Sequence, residues 1–444
     1  MFYYVVLLGI TASAVLGIRN IPENSLYGVT DQANYFMDLF NSIAASLSAF
    51  AYTKEHNVYL PSTLGVLRSI HRLMVEAPTA FHLRDKNIWL PSLIIALFII
   101  SLIGAINCLK ENKFGKIAIT GIFSLTPIMI FSYIRLNTWI SLVSLLLAII
   151  PICHTCLPTP TRRTLPEIDQ LRDSTVQKIA QADNLITFIL YICCQIKLIF
   201  WMPLLFFVFT SNQSKHRKAT LILILIVVTI FIQHLCAATF DFQGWSFFTL
   251  LKNMNFWNNY ASSHVLVQID LGGASASIKD TYNSWLLINR EDGIKQIADD
   301  MMLRRLTGFI SICLASVIGS KVLALYKSIT INKEYIEPLT RFQISICSLF
   351  PLQLFSAKSG FYALGILIPV VIISHYNLGS YTLSSRLKCI YTMLLIYCVT
   401  GSIGLNSDVV YKAAFKLIVR FLNIATLTSL LCFILPSHQR KLLL

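Results

Sequence analysis

Apolar runs of bilayer length recur along this chain, and no other feature limits its fold as tightly. A membrane-crossing helix needs about 20 mainly apolar residues, since the hydrocarbon core is about 30 Å thick and a helix rises about 1.5 Å per residue. Runs reaching or approaching that length lie at 2–18, 88–109, 117–133, 138–155, 186–210, 219–238, 306–326, 342–357, 360–376, 388–404 and 416–436. Composition agrees. Of 444 residues, 55% are hydrophobic and 13% charged, with a mean hydropathy of +0.66; a soluble domain carries about a quarter charged residues. The reading is an all-α polytopic membrane protein of about 10–12 transmembrane helices, because only helices and closed barrels satisfy the backbone in lipid.

The net charge of +15 would suggest nucleic acid in a soluble domain. Here the basic residues flank apolar runs, where they act as interfacial anchors and positive-inside loops, so no nucleic acid is expected as a partner. The first segment, MFYYVVLLGITASAVLGIRN, lacks the basic start of a signal peptide and reads as an uncleaved helix. The eleven cysteines lie mainly within apolar stretches, as small hydrophobes. Cys153 and Cys156 form a CxxC with no second pair at zinc spacing, so no metal site is read there.

Two long polar intervals, 19–87 and 239–305, interrupt the spans. They divide the chain into an N-terminal transmembrane half at 1–238 carrying the loop 19–87, a loop at 239–305, and C-terminal helices at 306–444. A shorter interval at 156–185 begins with prolines and continues as a polar, charge-alternating helix expected to lie along the surface. Basic short loops set the orientation. SKHRK, SSRLKC and the tail HQRKLLL are all placed inside, with 239–305 outside. If KENKFGK and TRR are inside too, the crossings between 156 and 219 must be even in number. The run from Leu185 to Phe209 is too short for two full spans but contains Lys197 and Pro203. A broken or re-entrant segment reconciles the count; a flipped N-terminal half is the alternative. The broken segment places 19–87 on the outer face, beside 239–305.

The first polar interval holds VTDQANYFMDLFNS, Val29 to Ser42, with two carboxylates around an aromatic pair. Phe36, Leu39, Phe40, Ile43, Ala44 and Leu47 recur at helical spacing, which predicts an amphipathic helix on the outer face. Thr30 or Asp31 is placed to cap that helix, the structural alternative to a catalytic role for Asp31. Asp38 lies seven residues on, two turns along the same side, so both carboxylates can face one cavity.

A membrane helix followed by an outer loop with an acid and a tyrosine resembles the GT-C glycosyltransferases. These are integral membrane enzymes that use polyprenyl-phosphate sugars and include aminoarabinose and protein O-mannosyl transferases. Their Asp-Glu-x-x-Tyr reads here Asp31-Gln32-Ala33-Asn34-Tyr35, with the second acid replaced by glutamine. The resemblance implies that Asp31 is the catalytic base. A second matching place is LFSAKSGFYALGILIPVVI, where Ser356, Lys358, Tyr362 and Pro369 match a family segment at the start of a late membrane helix. There the lysine is expected to bind the carrier's phosphate; a snorkelling lysine in a turn is the other reading. The layout is also similar to that of the O-antigen glucosyltransferases of serotype conversion.

Further candidates rest on residue type. Glu55 and His56 could line an acceptor groove or a solvated loop, and Arg84 could meet a phosphate or anchor the second span. Lys197 is costly in lipid unless paired or facing water, so it is expected at a cavity or at the inner interface. The aromatic and amide-rich DFQGWSFFTLLKNMNFWNNY suits sugar rings but equally an interfacial belt.

The resemblance thus implies inverting transfer of a sugar from a polyprenyl-phosphate donor to a cell-envelope glycan or lipopolysaccharide acceptor. The site is expected on the outer, periplasmic face of a bacterial inner membrane, among membrane lipids. Asp31 is the base, Asp38, Tyr35, Glu55 and His56 bind substrate, Lys358, Tyr362 and Arg84 hold the donor, and no cofactor is required. The alternatives are an O-antigen polymerase or ligase, which would use His264, Arg290, Arg304 and Arg305, and a lipid-linked oligosaccharide flippase, which should bury charges inside several spans.

Overall fold

The computed structural model describes residues 36–109, 138–156, 166–211, 213–264, 338–349 and 366–377, with single positions 116, 120, 133 and 136. The spans expected at 2–18, 306–326, 388–404 and 416–436 lie outside these residues, as does nearly all of 117–133. The described residues are helical, without a strand. Their helices are α1 Met37–Leu47, α2 Pro61–His71, α3 Ala80–Lys86, α4 Trp89–Asn107, α5 Thr138–Cys156 and α6 Pro166–Ile196. After a 3₁₀ turn at Leu198–Phe200 come α7 Trp201–Phe209, α8 Lys215–Thr239, α9 Phe247–His264, α10 Pro338–Cys347 and α11 Ile368–Asn377.

Among the described residues, four stretches are long and apolar enough to cross a bilayer: Trp89–Asn107, Thr138–Thr155, Gln177–Ile196 and Lys215–Thr239. These mark the chain as a helical membrane protein. The side-chain distribution on α8 gives the same answer independently. Leu223, Val227, Phe231 and Leu235, one stripe at four-residue spacing, are all more than half exposed, while Thr229 and Gln233 are buried. A soluble helix shows the reverse. An outward apolar stripe over an inward polar one requires an apolar solvent.

The helices define two ends. At one, here the loop end, α1, α2, α3 and α9 gather around the segments that join them. Asn87 closes this end over α4, its amide donating to Val75 O (2.9 Å) and Leu83 O (2.8 Å) and its oxygen accepting from Val75 N. From there α4 runs to the far end, and α5 starts again at the loop end, where Trp139 packs on Phe200 with ring centroids 5.5 Å apart. Both helices are apolar almost throughout, and their facing sides, with Phe98, Leu102, Ile106, Leu142 and Leu146, are fully buried.

The segment that carried the parity problem is broken, the arrangement favoured from its sequence, but its first limb starts earlier than the apolar run suggests. Helix α6 runs unbroken for 31 residues from Pro166, so the polar stretch after the prolines continues directly into the span instead of forming a separate surface helix. It ends at Ile196, Lys197 is extended (φ −140°, ψ 123°), and the chain turns back through Leu198–Phe200 into α7. Asp183 lies about 20 Å from Ile196 along α6, and the twelve residues 198–209 return about 18 Å. Contacts fix the return. Arg341 of α10 pairs with Asp183 and lies 4.5 Å over the Phe207 ring, while Lys218 at the start of α8 donates to Phe209 O (2.7 Å). Between 177 and 214 the chain therefore goes and comes back. The first limb draws on polar residues at its start, and the second is short.

A helix that ends among membrane spans leaves carbonyls without partners. Helix α2 supplies them. Ser62 and Thr63 hydroxyls donate to Gln195 O at 3.1 and 3.0 Å. Pro61 occupies the first helical position of α2, where its missing N–H is not needed. Gln233 of α8 completes the junction, accepting from Ser62 N (2.9 Å) and donating to Gln195 Oε1 (2.7 Å). Gln195 in turn donates to Thr229 Oγ1 (3.0 Å), which lies 3.1 Å from the Tyr191 hydroxyl.

Candidate functional site

Helix α1 carries Asp38 in its first turn, where a carboxylate meets the positive end of the helix dipole. The expected stripe forms: Phe36, Leu39, Phe40 and Ile43 are buried, while Leu47 is exposed. The cap differs from expectation. The N-cap position is Phe36, in the left-handed region (φ 60°) with no side-chain hydrogen bond. Thr30 and Asp31 therefore do not cap α1, because the helix starts six residues after Asp31. Asp31 and Tyr35 themselves lie outside the described residues.

Asp38 is half-buried, and its charge acts on the Tyr59 phenol. Burial is the main cause that pushes the Tyr59 phenol up. Hydrogen bonds to Thr138 and Ser42 oppose that shift, and the Asp38 charge adds to it. Ser42 donates to Asp38 O (2.7 Å), so its oxygen is left to accept from Tyr59. The Tyr59 backbone is held at both groups: its N–H donates to Asn57 Oδ1 and its carbonyl accepts from the Tyr52 hydroxyl, each at 2.8 Å. Lys197, at the helix break, completes the cluster. Its ammonium lies 5.7 Å from the Tyr59 ring centroid and 5.1 Å from that of Trp139. Lys197 thus stands at the loop end of the bundle.

The two polar intervals meet at this end. Gln243 N donates to Ala49 O (2.8 Å), and the Asn253 amide donates to Tyr52 O (2.9 Å) and Asn57 O (3.0 Å). Arg68 of α2 binds three carbonyls at once, Ser46 O (2.6 Å), Ser48 O (3.4 Å) and Phe240 O, and stacks 4.6 Å over Phe242. The first two carbonyls close the C-terminus of α1 and the third caps α8, where a cation also answers the helix dipoles. The shared face expected from loop charge is thus a packed one.

The other predicted residues separate. His56 sits at the α9 contact, its Nδ1 3.4 Å from Asn253 Oδ1 and its ring stacked 4.2 Å from Phe256, with neighbouring Glu55 exposed. Arg84 ends α3, paired with its neighbour Asp85 (2.8 Å) and over Phe81 at 5.7 Å. Both of these contacts are to residues of α3 itself. Ser356, Lys358 and Tyr362 lie outside the described residues. Pro369 sits in the first turn of α11, where proline fits without breaking a hydrogen bond. Cys153 of the CxxC is buried in α5.

Sequence reasoning singled out Asp38 and Lys197 but missed Tyr59, Thr138 and Trp139, which join them. The signal was weak. Tyr59 follows Asn57 just before a helix-starting proline, and Thr138-Trp139 opens a span; both are ordinary interfacial patterns. As it stands, the cluster holds a carboxylate, a phenol and an ammonium at one end of a membrane bundle, a set able to bind hydroxyls and anions together. No family model, curated protein or solved structure matches the chain.

Proposed function

We propose that this protein transfers a sugar from a polyprenyl-phosphate donor to a glycan or lipid-linked acceptor at the loop end of its helical bundle, with inversion. The observation that carries the reading is the meeting of both polar intervals at one end, over a helix break that places Lys197 by the Tyr59 ring, whose phenol also feels the Asp38 charge. A lipid-linked sugar needs such a place: apolar walls for the chain, charge at interface depth for the phosphate, and hydroxyl-binding groups for sugars. Asp31 takes the acceptor proton as the acceptor oxygen bonds to the anomeric carbon. The bond from that carbon to the phosphate oxygen breaks, and the lipid phosphate departs, held by Lys358. Asp38 and Tyr59 orient the acceptor.

The test uses the full-length protein in lipid nanodiscs with radiolabelled undecaprenyl-phosphate glucose and lipopolysaccharide. Label should move to the acceptor with release of undecaprenyl phosphate, and Asp31→Asn should lower the rate roughly 10²–10⁴-fold, the usual worth of a positioned base. A fully active Asp31→Asn protein would remove the mechanism. Topology gives a second check. A thiol label applied to intact cells should reach Glu55→Cys and not His216→Cys, and the reverse pattern overturns the outer-face placement. A transport reading draws on one observation, the pairing of the buried Arg341 with the half-buried Asp183 in the bundle. It predicts vesicle-to-vesicle movement of lipid-linked glycan without any change in its covalent bonds.

A further inference from the structure

We propose that α2 and the start of α9 lie in the phospholipid headgroup layer at the loop end, with Leu73 and Phe248 inserted among the lipids; the placement does not depend on the sugar-transfer reading. Exposure argues for it first. Of the described large apolar side chains, the two most exposed lie outside the four membrane-length stretches. Phe248 is 79% and Leu73 76% exposed, against 65% for Phe231 on the outward stripe of α8. Neither stands alone. Val66, Ile70 and Leu73 share one side of α2 at helical spacing, and Phe248 and Leu251 share one side of α9. Val66 and Leu251 are also more than half exposed.

Depth argues second. Helix α2 lies along the last turns of α8. Ser62 bonds to Gln233, and Gly65 packs so closely on the Phe240 ring that a Cβ there would overlap it. The apolar stripe on α2 therefore begins at the level where α8 ends. The chain departs for α9 from the same level. Asp241 is left-handed (φ 50°), its N–H donates to Ala238 O (3.3 Å), and Phe242 N–H donates to Ala237 O (2.9 Å). This paired closure ends a helix by folding the chain back over its last turn. Only Gln243 to Ser246 then separate Phe242 from the first residue of α9.

Continuity names the partner. Leu223, Val227, Phe231 and Leu235 turn an apolar stripe outward along α8, a surface whose solvent is lipid. The exposed faces of α2 and α9 adjoin the end of that surface. Each carries a cation at its edge: Arg72 beside Leu73, and Lys252 one turn from Phe248, both exposed. Apolar side chains at acyl depth beside long cations that reach phosphate are the pattern of a helix lying in a membrane interface. The start of α9, which in sequence suits sugar rings or an interfacial belt, is thus assigned to the bilayer.

The experiment uses the full-length protein in nanodiscs of palmitoyl-oleoyl phosphatidylethanolamine and phosphatidylglycerol in equal parts. Benzoylphenylalanine, a photoreactive residue that bonds to nearby C–H groups, replaces Leu73, Phe248, Phe231 or Glu55 singly, and the irradiated protein is weighed by mass spectrometry. All four side chains are exposed, so the replacements meet no packed neighbour. Positions 73 and 248 should gain phospholipid as fully as position 231, and position 55 should gain none. A reagent that labels thiols only from water gives a second measurement, read peptide by peptide. It should modify Glu55→Cys and leave Leu73→Cys and Phe248→Cys intact. Lipid adducts at position 231 with none at 73 and 248 overturn the inference, and so does thiol labelling at both as fast as at Glu55→Cys. A crosslink between two copies of the chain at 73 or 248 also overturns it and gives the face to a dimer. Thiol protection at 248 that appears only on adding lipopolysaccharide overturns it in favour of a glycan.

Discussion

The two ends of the bundle handle polarity in opposite ways. At the loop end, neutral hydroxyls and amides from distant parts of the chain satisfy backbone carbonyls, and the charges, Asp38 and Lys197, remain half-buried. Towards the far end, the backbone is regular and one charge, Arg341, is enclosed and paired with the half-buried Asp183, while Lys215 and Arg217 are exposed. Arg341 is 3% exposed and bound to Asp183, and its Nε has no hydrogen-bond partner among the described residues. The contrast separates a site from a fastening. A group that must meet a substrate keeps access to water, whereas an enclosed charge is tolerable only with its partner in place. The proposed chemistry is accordingly placed at the loop end, and the Arg341–Asp183 pair is read as a fastening.

The strongest way to break this comparison is to remove one member of the enclosed pair. Arg341→Met should destabilise the protein by roughly 3–5 kcal/mol, because Asp183 is then left charged among apolar side chains. Adding Asp183→Asn should recover most of that loss, since two uncharged groups of similar shape need no mutual neutralisation. Thermal unfolding of the three variants in detergent decides the matter. If the double variant were as damaged as the single one, the pair would be doing more than fastening α10 to α6 and α7.

Arg68 is the loop-end counterpart, a cation that binds carbonyls instead of a carboxylate. Arg68→Met should cost about 2–3 kcal/mol, within the range for hydrogen bonds to a charged group. Lysine should rescue it poorly, because one ammonium cannot span the C-termini of α1 and α8 together. Hydrogen exchange should rise at Ser46 to Ser48 and at Phe240, and stay unchanged around Asp183. Exchange spreading to Asp183 would show that the two ends are one cooperative unit.

What could be read beforehand follows the same division. Spans α4, α5 and α8, helices of 19, 19 and 25 residues, were legible because the long apolar runs within them have few other destinations. The break at Lys197 was legible as a conflict in crossing number, and the stripe on α1 as a period. The start of α6 was not, since a helix continuing from polar into apolar sequence offers no local stop signal, and charge alternation on Pro166–Asp183 reads as a surface helix. The partners of Lys197 and Asp183 were not legible either. Tyr59 is 138 residues from Lys197, and Arg341 is 158 from Asp183, separations at which only the packed helices decide who meets whom. Of the candidate site, half its predicted members lie outside the described residues. Among the rest, Asp38 stands in the cluster, while Glu55, His56 and Arg84 stand apart from it.

A smaller effect sharpens the account of the helix break. Ser62→Ala with Thr63→Val removes the hydroxyls that serve the Gln195 and Ile196 carbonyls. Each net hydrogen bond is worth about 0.5–1.5 kcal/mol, so the pair should lose about 1–3 kcal/mol. Gln195 should become accessible to exchange. Wild-type stability in this variant would mean that the break is held by side-chain packing alone.

The smallest effect concerns Tyr59, and pH reveals it. Tyr59→Phe loses the hydrogen bonds to Ser42 and Thr138, a cost of about 1 kcal/mol near neutrality. Burial raises the Tyr59 phenol above its ordinary value of about 10, and the Asp38 charge adds to the shift. The sign then follows. A group whose folded-state pKa is raised contributes its full stability below about pH 10 and loses it as pH climbs towards the folded value, because the unfolded chain ionises first. Phenylalanine has no proton to lose. The gap between wild type and Tyr59→Phe should therefore stay constant from pH 7 to about 9 and close above about 10, by up to about 1.4 kcal/mol per pH unit. The variant Tyr59→Phe with Asp38→Asn locates the charge, since Asp38→Asn in the wild-type background should lower the folded-state value, so that the loss still begins near pH 10 but is smaller and ends at a lower pH. A gap that widened above pH 10 would mean that the folded protein ionises Tyr59 more readily than the unfolded chain. Lys197 would then be stabilising a phenolate, and the cluster would be a basic site instead of a neutral hydroxyl-binding one.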